Sequence, residues 1–266
     1  MDIRLVNFTG STFTGRKIQQ AAATSNLKKV VLELGGKSPA IVFDDADLSK
    51  AASDTVASMQ LVMGQACIAN SRVYVQESIA DEFKEAFKAI FKAAKKGDPL
   101  LPETQQGPQA DEIQFERIKG YLKSASEGKG KLELGGSVTH LDGKGFFVEP
   151  TVYSDVPEDE KTQKEEVFGP FVNINTFKTE AEVIAKSNDT EYGLYASVYT
   201  KDINRALRVA KAFESGSVGV NCTSPTFALD MPFGGYKGSG QGREGYGYSL
   251  DEYLEFKTVY VKVDQA

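Results

Sequence analysis

The stretch Val30-Val31-Leu32-Glu33-Leu34-Gly35-Gly36-Lys37-Ser38-Pro39-Ala40-Ile41-Val42-Phe43 decides the fold. Two short apolar runs, Lys29 to Leu34 and Ala40 to Phe43, flank a Gly-Gly turn. Short β-branched runs bounded by turn residues read as strands. Glu33 sits near the end of the first run, among four apolar neighbours. A carboxylate buried there is costly unless it is paired or neutral. Burial would raise its pKa toward a value useful to a general base. The plainer alternative is a strand-end carboxylate that reaches water.

Working outward, strands and helices alternate. Ile3 to Phe8 reads as a strand, Gly10 to Gly15 as a turn and Arg16 to Ala23 as a helix. Downstream, Asp47 caps a helix running to about Val62, and Arg72 to Gln76 is a strand. Ser78 to Lys95 carries Ile79, Phe83, Phe87, Ile90, Phe91 and Ala94 at helical spacing, a core-packing stripe. A proline- and glycine-rich loop covers Gly97 to Gln109, and Ala110 to Glu127 is a second amphipathic helix. Strands follow at Lys131 to Leu134, Phe146 to Val148, Phe171 to Phe177 and Tyr195 to Thr200. Asp202 to Phe213 is a helix closed by Gly216, and Ser217 to Asn221 a strand. Pro232 to Gly247 reads as a glycine-rich loop, Thr258 to Val263 as a final strand, and the charged run Glu158 to Glu166 as a solvated segment. This alternation predicts an α/β fold with a largely parallel sheet and flanking helices.

Composition narrows the function. The 266 residues are 41% hydrophobic and 26% charged, with a net charge of −6, as in a globular chain able to bury a core. The acidic balance gives no electrostatic reason for nucleic acid or an anionic membrane as partner. No apolar run is long enough to span a bilayer. MDIRLVNFTGS has no basic region followed by an apolar one, so it is not read as a signal peptide, and a cytoplasmic location is the expectation. Cys67, Cys222 and the single histidine, His140, make neither a metal site nor a disulfide framework.

Cys67 lies in Gly64-Gln65-Ala66-Cys67-Ile68-Ala69-Asn70, a connection between a helix and a strand. Connections concentrate function, and a thiol there is reactive if nearby dipoles lower its pKa. Taken alone, such a cysteine is more often an inert core residue. Cys222 follows a buried-looking strand, Val218 to Asn221. Gly10 and Gly15 flank a strand-to-helix junction whose amides would suit a phosphate; as a lone pair of glycines they read equally well as a tight turn.

Together these stretches form an ordered series. Phe8-Thr9-Gly10-Ser11-Thr12 is followed by Glu33-Leu34-Gly35-Gly36-Lys37-Ser38-Pro39 and by Gly64-Gln65-x-Cys67. The glutamate-to-cysteine interval is 34 (67 − 33). Further on stand Gly145-Phe-Phe-Val-Glu-Pro-Thr151, Glu165-Glu166-Val167-Phe168-Gly169-Pro170, Asn188-Asp-Thr-Glu-Tyr-Gly-Leu194 and Pro232-Phe-Gly-Gly-Tyr-Lys-Gly-Ser-Gly240. Along its whole length the chain resembles the catalytic, C-terminal half of aldehyde dehydrogenases.

The resemblance implies a division of labour. Cys67 would be the nucleophile, and Glu33 the base that activates water. Thr9, Gly10, Ser11, Leu34, Glu166 and Phe168 would hold the pyrophosphate and nicotinamide end of NAD or NADP. Asn221 would brace the loop around the substrate pocket, and Phe227 would line that pocket. It also implies three regions: a remnant of the dinucleotide-binding domain over 1–34, a cysteine-bearing catalytic domain over 35–235, and a C-terminal return with an oligomerisation strand over 236–266. The partners expected are a small aldehyde or acyl substrate and further copies of the chain, as a dimer or tetramer.

Departures from the family pattern qualify the function. The resemblance starts midway along that pattern, without its Pro-Trp-Asn segment or the residues that hold the adenosine ribose, and the chain has no tryptophan. With no tag or linker visible, a natural short homologue is the expectation. Asp159 to Lys164 is polar where relatives are apolar, and Gly219 replaces a bulkier residue. Three functions remain open: aldehyde oxidation with the cofactor half supplied, cofactor-free ester or thioester hydrolysis or aldehyde rearrangement on Cys67 and Glu33, and a non-catalytic relative.

Overall fold

A computed structural model describes residues 2–141, 143–223 and 230–264. In chain order the elements are β1 (Leu5–Thr9), α1 (Thr12–Ser25), β2 (Lys29–Glu33), β3 (Pro39–Val42), α2 (Leu48–Gln60), β4 (Arg72–Gln76) and α3 (Ala80–Ala93). Next come α4 (Glu112–Glu127), β5 (Lys131–Leu134), β6 (Val138–Leu141), β7 (Lys144–Val148), β8 (Thr151–Ser154), α5 (Lys161–Lys164) and β9 (Phe171–Phe177). The chain continues with α6 (Glu180–Asn188), β10 (Tyr195–Tyr199), α7 (Ile203–Ala212), β11 (Ser217–Val220), β12 (Gly240–Gln241) and α8 (Tyr246–Tyr253).

The large sheet has the order β11-β10-β3-β4-β9-β8-β5, parallel throughout except where β5 meets β8. Parallel sheets are stable when both faces are covered, and here they are. Ala40 and Val42 of β3 face α2 and α3, packing with Met59, Phe83 and Phe87. Ile41 between them faces the other side, with Val183, Val209 and Phe213 of the α6–α7 layer. That two-residue alternation is the strand period. The expected α/β fold with a largely parallel sheet and flanking helices is the fold found.

A second, three-stranded sheet, β1-β2-β12, stands beside the first. The segment Leu34–Ser38 therefore passes from one sheet to the other, so Glu33, at the end of β2, stands where the two sheets abut. The Pro232–Gly247 loop is more ordered than its glycines suggest. Its β12 pairs antiparallel with β2, Gly240 opposite Glu33. Buried Ser239 accepts the Leu34 amide on its carbonyl at 2.8 Å and donates its hydroxyl to the Gly35 carbonyl at 2.6 Å. Gly240 is required there, because a β-carbon would meet the Leu32 carbonyl at 2.1 Å.

Four local expectations need correction. The Gly10–Gly15 turn is shorter than expected: α1 starts at Thr12, capped by Ser11, and Gly15 lies within the helix where a β-carbon would strike Leu34. Ile90 lies off the buried face of α3, while Phe83, Phe87 and Phe91 are buried. Glu158–Glu166 is not simply solvated: it forms α5 and buries Thr162 and Gln163 on hydrogen bonds. Thr258–Val263 is not a strand within the chain but an extended tail, with Val259, Tyr260, Val261 and Val263 exposed and no neighbouring strand among the described residues.

Candidate active site

Two glycines let the site assemble. A β-carbon on Gly36 would lie 2.1 Å from the carbonyl oxygen of Cys67, and one on Gly35 would lie 2.5 Å from a carboxylate oxygen of Glu166. The bare Gly-Gly backbone thus lets the Cys67 connection and the Glu166 segment close on the turn after Glu33. The Gly36 amide donates to Glu166 Oε1 at 2.9 Å.

The result is a cleft of about 420 Å³ lined by Thr9, Gly10, Ser11, Glu33, Leu34, Gly35, Gln65, Ala66, Cys67, Gln114, Arg117, Glu166 and Phe168. Eight of the ten residues singled out from the sequence meet in it. Asn221 does not: it lines a separate cavity with Asp47, Lys50 and Tyr199. Its side-chain amide there pairs with the Thr200 backbone, accepting at 2.9 Å and donating at 2.9 Å. Phe227 lies outside the described residues. Gly219 has a local reason: a β-carbon would sit 2.3 Å from the Tyr195 hydroxyl.

The approach to Cys67 is backed by a left-handed run. Val62 (φ 49°), Met63 (φ 56°) and Gly64 (φ 73°) all occupy the region that L side chains disfavour. Gly64 seats against the Gly169 carbonyl, where a β-carbon would approach to 2.1 Å. Phe168, next to Gly169, is also left-handed at φ 57°. Such strain clusters where the surrounding fold over-determines a functional geometry.

The electrostatics of the cleft follow from burial. Glu33 is 4% exposed, and neither carboxylate oxygen has a hydrogen-bond partner among the described residues. Desolvation, reinforced by neighbouring Glu244 and opposed by Arg243, pushes it up to about 8. The Cys67 thiol is pushed up to about 11, chiefly by desolvation and then by the carboxylates of Glu166 and Glu33. Burial also raises Glu166, against the Gly36 amide, Arg117 and Lys37. Cys222, expected to be sheltered, is exposed, so exposure alone does not single out Cys67.

Sequence reasoning missed Gln114 and Arg117. Both lie on α4, three residues apart and so on one face. Gln114 donates to the Val167 and Phe168 carbonyls at 3.1 and 2.7 Å, and Arg117 to the Glu166 carbonyl at 3.1 Å. Within α4 they look like ordinary surface polar residues, and nothing local marks them. Glu244, which carries charge toward Glu33 and accepts from Asn7 at 2.6 Å, was hidden in the glycine-rich loop. Among the described residues no cluster could hold a metal ion, and no helix is long and apolar enough to cross a membrane.

The two sheets, the turn between them and the cysteine-bearing cleft define a thiol-and-carboxylate site on a parallel α/β scaffold. The family model for the aldehyde dehydrogenase family matches residues 1–259. Over 265 residues the chain is 50% identical to aldehyde dehydrogenase 1A1 of Gallus gallus, covering all of this chain and 52% of that one. Human mitochondrial aldehyde dehydrogenase is 47% identical over 264 residues, 99% of this chain and 50% of that one. Among solved structures, the P. syringae indole-3-acetaldehyde dehydrogenase AldA in complex with NAD+ and IAA, a C302A mutant, superposes with a TM-score of 0.96 at 37% identity, over 99% of this chain and 53% of that one. Staphylococcus aureus betaine aldehyde dehydrogenase in complex with NAD+ gives 0.91 at 40% identity, over 95% and 50%. The chain belongs to the aldehyde dehydrogenase family, and it spans about half the length of the curated relatives it matches.

Proposed function

We propose that this chain carries the acyl-forming and acyl-hydrolysing machinery of an aldehyde oxidation. The observation that supports this best is the buried Glu33 carboxylate, without a hydrogen-bond partner among the described residues, in the same cleft as Cys67. In this reading the Cys67 sulfur loses its proton and bonds to the aldehyde carbon as a hemithioacetal. Loss of the hydroxyl proton to water and of a hydride from that carbon, for which a bound nicotinamide would be the acceptor, leaves a thioester on Cys67. Glu33 then takes a proton from water as the water oxygen attacks the thioester carbon. The acid is released and the sulfur regains a proton. A thiolate suits both halves, as a strong nucleophile and a good leaving group. A base poised near the working pH suits the second.

The cleft residues fit one end of NAD or NADP, which when bound supplies the hydride acceptor. Thr9, Gly10 and Ser11 stand at the N-terminus of α1, where free amides and the helix dipole favour a phosphate. Leu34 and Phe168 offer apolar walls, and Glu166, Gln114 and Arg117 offer polar groups at the rim. In this reading residues 1–34 contribute to cofactor binding, residues 35–235 carry the nucleophile, Asn221 and Phe227 belong to the substrate side, and the tail of 236–266 joins copies of the chain in a cytoplasmic oligomer.

The same pair supports a second reading, hydrolysis of activated esters or thioesters without any hydride acceptor. One experiment addresses both. The chain is incubated with an activated ester such as p-nitrophenyl acetate, and the acyl group is located by peptide mass spectrometry. Aldehyde-dependent reduction of NAD is then followed by absorbance. Acylation at Cys67 is expected. Its absence would remove both readings, and acylation that is not accompanied by NAD reduction even when the remaining half of a relative's length is supplied would favour the second.

A further inference from the structure

The charged segment before Glu166 is anchored in an unexpected way. Gln163 is 1% exposed and uses every polar position it has. Its amide nitrogen donates to the Tyr74 hydroxyl at 2.9 Å and to Glu158 Oε2 at 3.1 Å. Its amide oxygen accepts from Asn173 Nδ2 at 2.9 Å. Asn173 also donates to the Thr162 carbonyl, and the Tyr74 hydroxyl donates to Glu158 at 2.8 Å.

The network continues to the other wall of the cleft. Fully buried Arg72 reaches Tyr74 Oη at 3.4 Å through one guanidinium nitrogen and donates to the Lys37 carbonyl at 3.0 Å through Nε. Its remaining bonds go to the Lys186 and Ser187 carbonyls at the end of α6. An unbroken hydrogen-bonded path therefore joins Gln163, three residues before Glu166, to Lys37. The next residue back, Gly36, receives the Glu166 carboxylate. Buried networks of this kind specify one geometry as far as their members are paired; here Asn173 Oδ1 is left without a partner among the described residues.

We propose that Gln163 is a positioning residue: by locking α5 onto β4 and β9, it sets where the Glu166 carboxylate rests on the Gly36 amide beside Cys67. The proposal rests on Cys67 being the nucleophile. It goes beyond that reading by assigning a buried amide outside the cleft to the site's electrostatics. Two carboxylates face the thiol, Glu166 and Glu33, and both hold it in its protonated form. Arg117 and Lys37 are the cations facing Glu166, and Glu244 and Arg243 the charges facing Glu33. A Glu166 released from its seat moves negative charge away from the sulfur.

The test is a double-variant cycle in a Cys222→Ser background, so that every label is on Cys67. The rate of alkylation by iodoacetamide is measured against pH for that parent, Glu166→Gln, Gln163→Met and the pair together. Each single change should shift the profile to lower pH and raise the rate at pH 8 by about 3- to 10-fold, the equivalent of half to one pK unit. The pair should shift no further than Glu166→Gln alone, because residues acting through one group are non-additive. If Gln163→Met does not fold, Asn173→Ser removes one bond into Gln163 and should give a smaller shift of the same sign. Ser154→Ala, which removes a buried bond to Glu133 outside this network, should lower the melting temperature without moving the profile. An unmoved profile in Gln163→Met, a full extra shift in the Glu166→Gln background, or a shift in Ser154→Ala overturns the proposal. Acylation by p-nitrophenyl acetate in the same proteins separates the two claims. Intact acylation with an unmoved profile sinks only the positioning role, whereas no acylation at Cys67 sinks the nucleophile as well.

Discussion

The α-carbon of Gly36 lies so close to the Cys67 carbonyl oxygen that a β-carbon would intrude to 2.1 Å, and both belong to rigid backbone. The Cys67 connection therefore rests directly on the turn that follows Glu33. Gly36→Ala should push the Cys67 connection away from Glu33. A displacement near 1 Å costs about 10²-fold in a positioned reaction. Burst acylation of Cys67 by an activated ester should fall by that order while circular dichroism stays native. An unchanged burst would show that the contact is soft.

Glu33 should impose a rising pH dependence on deacylation. As the unprotonated base it becomes available near its folded pKa of about 8. The Glu33→Gln variant should lose that dependence and turn over about 10²- to 10⁴-fold more slowly, the range for removal of a general base, while still acylating. The same shift has a stability consequence. A carboxyl raised from 4.5 to about 8 on folding contributes stability that is full below pH 4.5 and lost as pH rises through 8. Denaturant titrations at pH 5 and pH 9 should therefore differ less in Glu33→Gln than in the parent. Equal loss of acylation and deacylation would instead mark Glu33 as structural.

Lys37 works in the opposite direction. Its ammonium is buried without a hydrogen-bond partner among the described residues, and desolvation, with Arg72 nearby, lowers it from 10.5 to about 7. A lysine lowered on folding contributes stability that is present above pH 10.5 and lost as pH falls through 7. Lys37→Met should thus stabilise the protein more at pH 5.5 than at pH 10, by a difference on the order of 4 kcal/mol. Equal urea midpoints for variant and parent at both values would show that the ammonium finds a partner in solution.

How much of this was legible follows from where each signal resides. Glu33, Gly36 and Cys67 lie in short, ordered stretches, so their pairing could be read along the chain. The alternation of β3 and β4 was equally local, because one strand carries both faces of its sheet. Gln163 and Ser239 could not be read. Their roles depend on Tyr74, Asn173 and Gly35, residues 89, 10 and 204 positions away, and in isolation each sits in a polar or glycine-rich run that looks solvated. Gln114 and Arg117 were invisible for the same reason: a helix surface gives no sign of which polar pair will face another segment. The tail at Thr258–Val263 fails differently. Its alternation is real, but a strand needs a partner, and none lies within the described chain.

That tail is expected to supply the oligomer contact. Val259, Tyr260, Val261 and Val263 are 72% to 92% exposed, beside Phe256 at full exposure. Exposed, alternating, β-branched edges pair with other strands. Removing residues 257–266 should reduce the particle seen by light scattering to the monomer mass of 28.9 kDa less the deleted tail. An unchanged oligomer after the deletion would place the contact elsewhere.

The isolated chain should bind NAD weakly. In the proposed reading the cofactor-holding groups line one cleft of about 420 Å³ and would address a phosphate at the start of α1 and a ring beside Leu34 and Phe168. None of them forms a purine pocket, so the adenosine half would remain in water. Losing about 4 kcal/mol of contact weakens binding roughly a thousandfold. Calorimetry should therefore give a dissociation constant for NAD in the millimolar range. Adding a polypeptide that supplies the remaining half of a relative's length should tighten it and bring aldehyde-dependent NAD reduction with it. A low-micromolar constant, or NAD reduction by this chain alone, would show that the cleft is sufficient by itself.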